Sequence, residues 1–76
     1  MKQEARFTVV LKSFKHENKI EIVKAVFELT RLGLKVAKDI VDTAPQPVLK
    51  NVSRLQAETA KRKLEAAGAI VEIIEG

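Results

Sequence analysis

At 76 residues the chain has room for one small domain with a single shared core, because a chain this short buries only about 60% of its unfolded surface. Hydrophobic residues (46%) balanced by charged ones (32%) exclude a disordered segment, the absence of cysteine excludes disulfides and thiolate chemistry, and no apolar run approaches the ~18 residues of a membrane span. The net charge of +4 suits nucleic acid or an acidic protein without choosing between them, and the cysteine-free composition fits a reducing, cytoplasm-like compartment.

The first pattern along the chain is period two. In "RFTVVLK" (6–12) Phe7, Val9 and Leu11 face one way and Arg6, Thr8, Val10 and Lys12 the other, as in a half-buried strand. Asn18 with Glu21 three residues on has the spacing of a capping box, so a helix is expected from about Lys19 to Thr30 or Arg31, with Gly33 as its stop. A second, shorter helix runs from about Leu34 to Thr43 and cannot pass Pro45 and Pro47. "VLKNV" (48–52), preceded by proline, reads as an edge strand. Ser53 with Gln56 is a capping box for a third helix, "RLQAETAKRKLEAA", which ends at Gly68. "AIVEIIE" (69–75) alternates again, with Val71 and Ile73 on one face and Ile70, Glu72 and Ile74 on the other. The order strand, helix, helix, strand, helix, strand predicts an α+β two-layer sandwich. Its three-stranded antiparallel sheet is covered on one face by three helices, and residues 1–76 form one domain without repeats or linkers.

The first helix carries more apolar surface than a core requires. At about 100° per residue, Ile22, Ala25, Val26 and Leu29 form a core face, while Ile20, Val23 and Phe27 cluster nearly opposite, among Lys24 and Arg31. Two readings of this second stripe stand. The second helix could fold back and cover it, or it could be an exposed docking patch rimmed by cations. The second helix has its own core set (Leu34, Ala37, Ile40, Val41) and a polar side (Lys35, Lys38, Asp39, Asp42), which favours the docking patch.

These residues also carry a resemblance. "KIEIVKAVFELTRLGLKVAKDIVDTAP" followed by "VLKNVS…AETAKRKLEAAGAIVEI" resembles the C-terminal globular domain of the bacterial large-subunit ribosomal stalk protein, from about Phe7 to Ile73. The densest match is T-x-L-G-L-K-x-A-K-D-x-V, at Thr30, Leu32, Gly33, Leu34, Lys35, Ala37, Lys38, Asp39 and Val41. The resemblance implies the same sandwich, and a role in recruiting translational GTPases, such as elongation factors and initiation factor 2, to the ribosome. It places partner contacts on Lys19, Ile20, Val23, Lys24, Phe27, Gly33, Leu34, Lys35 and Lys38. Four of these, Ile20, Val23, Lys24 and Phe27, belong to the second stripe found from periodicity.

Departures from the family pattern are specific. Phe27 stands where the family has an arginine important for factor contact, and Arg31, one turn later, is the candidate replacement. Val36, Leu55 and Gln56 replace acidic residues, and Val10, Ile70 and Ile74 make the outer sheet face more apolar than the family's. Family members also carry an N-terminal dimerisation and anchoring domain with a hinge. The expectation here is therefore an excised domain or a free-standing relative, with the substitutions favouring the latter.

Three other classes compete with this reading. Fourteen Lys and Arg residues, including Lys61-Arg62-Lys63, could follow a phosphate backbone, but three Phe as the only aromatics argue against nucleic acid. Val10, Ile70 and Ile74 could pair two copies across the open sheet face, making the chain a homodimeric module or an adaptor for a different protein. Catalysis is not expected, nor any metal or cofactor: His16 is the lone histidine, and Glu17 and Glu21 form a helix entrance rather than an acid–base pair.

Overall fold

The computed structural model describes residues 6–75. Strand β1 (Phe7–Phe14) leads through a 3₁₀ turn (His16–Asn18) into α1 (Lys19–Thr30), followed by α2 (Leu34–Asp42), β2 (Gln46–Val52), α3 (Arg54–Ala66) and β3 (Ala69–Glu75). The sheet order is β2-β1-β3 with both pairings antiparallel, so the first strand is central and β2 lies at an edge, as expected, although it begins at Gln46, two residues earlier than read, and so takes in Pro47. Proline there removes only a donor that no neighbouring strand would use.

The core lies between the sheet and the helices. Val9 and Leu11 from β1 and Val71 from β3 meet Ile22, Ala25 and Val26 of α1, Ala37 and Val41 of α2, and Ala57, Ala60 and Leu64 of α3. This is the expected α+β sandwich, and the alternation of β1 and β3 assigns their faces as read. Among the described residues, no helix is long and apolar enough to cross a membrane.

Local corrections follow from neighbours that periodicity does not contain. The Ser53–Gln56 capping box forms: Ser53 Oγ accepts from Gln56 N–H at 3.1 Å, and Gln56 Oε1 accepts from Ser53 N–H at 3.0 Å. The Asn18–Glu21 box does not. The 3₁₀ turn runs straight into α1, leaving Asn18 at φ −96°, ψ 3° rather than extended, and its side chain makes no capping bond. That side chain lies instead against Gly68, where a Cβ would come within 2.3 Å of Asn18 Nδ2. Gly68 has φ +103°, so both its backbone and its neighbour require glycine.

Gly33 is not the stop of α1. The helix is closed by Arg31 in the left-handed conformation, its N–H donating to Phe27 O at 2.9 Å. Gly33, at φ +114°, instead precedes α2 as its first cap. Leu34 also leaves the core set assigned to it. Side chains lean toward a helix's N-terminus, so Leu34, the first residue of α2, hangs beyond the packed layer and is 61% exposed. Ala37 and Val41 alone bury the inner face of α2, with Ile40 half-buried.

Candidate functional site

α2 packs on α1 but does not cover its second stripe. Ile20 remains 71% exposed and Phe27 42%, while Val23 between them is half-buried against the core. The space left between the two helices is a groove of about 480 Å³ lined by Lys19, Ile20, Val23 and Lys24 of α1 and Leu34 and Lys38 of α2. Its apolar surface comes from Ile20, Val23 and Leu34, and each flank carries lysine. The escape of Leu34 from the core is what closes the apolar side from α2.

Six of the ten residues expected at a partner site therefore share one groove. The other four surround it. Phe27 lies one helical turn beyond Val23 on the same face of α1. Arg31 is exposed at the helix end, Gly33 caps α2, and Lys35 is exposed beside Leu34. Two exposed apolar residues near the turn, Leu32 (64%) and Val36 (38%), lie outside the expected site set. An apolar residue inside a short inter-helix loop was the available signal for Leu32.

Asp42, read only as part of the polar side of the second helix, lies outside that set too. The Lys19 ammonium, at the start of α1, is in direct contact with the Asp42 carboxylate, at the end of α2. Donation from Lys19 holds the Asp42 carboxyl below its ordinary range, with the nearby Lys38 adding to the effect. On the far flank of α1, Lys63 of α3 donates to Glu28 at 2.6 Å and lowers that carboxyl too, helped by Arg31 and Lys24. Among the described residues Lys24, Lys35 and Lys38 have no ion-pair partner, so the groove keeps unpaired positive charge on both helices.

The residues expected to mediate self-association lie on the open face of the sheet. Ile70 (62% exposed) and Ile74 (45%) flank Glu72, which is opposite Val10 in the β1–β3 register. Val10 is half-buried, and the Glu72 carboxylate pairs with Lys12 at 3.3 Å. An ion pair thus interrupts the apolar patch.

The groove and its fold can be set beside known proteins. The family described as "Ribosomal protein L7/L12 C-terminal domain" matches residues 7–74. The chain belongs to this family. The match takes in every strand and helix described above except the last residue of β3. Among curated relatives, "Large ribosomal subunit protein bL12" of Janthinobacterium sp. (strain Marseille) is 55% identical over 71 residues, 93% of this chain and 56% of that protein. The protein of the same name from Dehalococcoides mccartyi (strain ATCC BAA-2100 / JCM 16839 / KCTC 5957 / BAV1) is 53% identical over 73 residues, 96% of this chain and 58% of the relative. This L7/L12 C-terminal domain chain therefore spans little more than half the length of the curated relatives it matches.

Proposed function

We propose that this chain is a ribosomal-stalk-type docking domain that binds translational GTPases, elongation factors and initiation factor 2 among them, through the α1–α2 groove in the cytoplasm. The observation that carries the reading is the convergence of Ile20, Val23 and Leu34 with Lys19, Lys24 and Lys38 in one open groove. Membership of the L7/L12 family and relatives named as large-subunit ribosomal proteins support it.

The division of labour follows from the chemistry. Lys24, Lys35 and Lys38 attract an acidic factor surface and orient the encounter. Ile20, Val23 and Leu34 supply the desolvated contact, where full burial of Ile20 contributes about 2 kcal/mol. Phe27 extends the apolar contact along α1, and Arg31 supplies the guanidinium one turn further on.

The test is an NMR titration of isotope-labelled protein with elongation factor G, repeated with Lys24→Glu. Shifts or broadening centred on residues 19–38 are expected, with Lys24→Glu weakening binding roughly tenfold while the free protein's spectrum stays folded. Perturbation elsewhere, or unchanged affinity in the variant, would assign the wrong face. A second reading, self-association through the open sheet face, is favoured by the exposure of Ile70 and Ile74.

A further inference from the structure

Lys19–Asp42 is the least exposed ion pair among the described residues. Its side chains are 32% and 36% exposed, whereas every partner in the other four pairs is at least 41% exposed. It joins the first residue of α1, which lines the groove, to the last of α2. Asp42 also lies one helical turn after Lys38, on the same side of α2, so the carboxylate addresses two of the groove's three lysines.

We infer that Asp42 is an internal competitor for Lys19, a specificity residue that sets how acidic a partner surface must be before it can dock. This rests on the docking function proposed above for the groove. In the free protein the positive charge of Lys19 is offset within the molecule and that of Lys38 in smaller part, while Lys24 is left to act outward. A partner carboxylate arriving at Lys19 either displaces Asp42, which gives up the internal ion pair, or sits beside it, which brings like charges together. A surface with clustered carboxylates, engaging all three lysines, outweighs either penalty. One with a single carboxylate does not. The lowered carboxyl of Asp42 agrees with a contact made mainly to Lys19.

Asp42→Asn keeps the shape of the side chain and removes only its charge, at a position on the surface. Binding of elongation factor G is compared for the wild type, Asp42→Asn, Lys19→Gln, the double variant, and Asp39→Asn. The last makes the same charge change on α2 at an exposed residue without an ion pair among the described residues. Asp42→Asn is expected to tighten binding roughly two- to fivefold, the range for a partly exposed ion pair. Asp39→Asn is expected to do distinctly less, and the gain should vanish in the Lys19→Gln background. In the free protein, the Asp42 carboxyl carbon should titrate higher once Lys19 is replaced.

Weaker binding by Asp42→Asn would make the residue a positioner of Lys19 and overturn the inference, as would an equal gain from Asp39→Asn, which reduces the effect to net charge. Either result leaves groove docking standing, provided the wild type perturbs residues 19–38. Failure of every variant to perturb them removes the docking reading and this inference together.

Discussion

Arg31 sits at φ 58°, ψ 21°, in the left-handed region, directly after the last helical residue of α1. For a residue with a Cβ that conformation costs about 1–2 kcal/mol, and glycine would adopt it with little strain. Part of the gain from glycine is returned through the greater freedom of its unfolded chain. Arg31→Gly is therefore expected to raise unfolding stability by roughly 0.5 kcal/mol in urea denaturation while weakening factor binding. Opposite signs in the two measurements would mean the arginine is kept for contact rather than for the fold. A loss of stability would show instead that its charge, close to Glu28, outweighs the strain. The sequence offered Gly33 as the helix stop because glycine is the residue type that advertises positive φ. It gave no sign that Arg31 would take that conformation first, since no property of an arginine announces it. Leu34 was misplaced in the core for a related reason. Angular position on a helical wheel ignores how far a first-turn side chain projects past the layer below.

Helix α1 is held from both sides by different means: the core takes its inner face, Ile22, Ala25 and Val26, while Lys63 of α3 takes Glu28 at 2.6 Å. Glu28's folded pKa is depressed, chiefly by that hydrogen bond from Lys63. Its stabilising contribution is therefore complete above the unfolded carboxylate pKa, near 4.3, and is lost as pH falls through the lower folded value. Urea denaturation at neutral pH should show Glu28→Gln slightly less stable than the wild type. The two stability curves should converge well below pH 4, where the wild-type glutamate is also neutral. A gap that persists in acid would trace the loss to packing of the glutamine rather than to charge. Whether an element was legible depended on how locally it was specified. The Ser53–Gln56 box is complete within four residues, and it formed as read. Asn18–Glu21 has the same spacing, but the 3₁₀ turn before it and Gly68 across from it decide where the asparagine points.

Among the described residues, the α1–α2 groove and the open sheet face expose apolar side chains on opposite layers of the molecule. The alternation of β1 and β3 was enough to put Val10, Ile70 and Ile74 on one side. The interruption by Lys12–Glu72 was not readable, because it depends on a β1–β3 register that shifts between Leu11 and Ser13. The Lys19–Asp42 contact was hidden in the same way, since it exists only once two helices have folded back on each other. These long-range pairings now bear on self-association. A second copy on the sheet face would have to bury the Lys12–Glu72 pair or keep it at a wet rim, while two chains of net charge +4 repel each other. Association through Ile70 and Ile74 should accordingly be weak at low ionic strength and strengthen with salt, as the Debye length falls from about 30 Å at 0.01 M to about 8 Å at 0.15 M. Groove docking led by lysines should weaken over the same range. Light scattering at both salt concentrations, for the wild type and Ile70→Lys, tests the sheet face. A dimer that grows with salt and is absent in Ile70→Lys would give the sheet face a role of its own. An unchanged monomer mass in every condition would remove self-association through the sheet face.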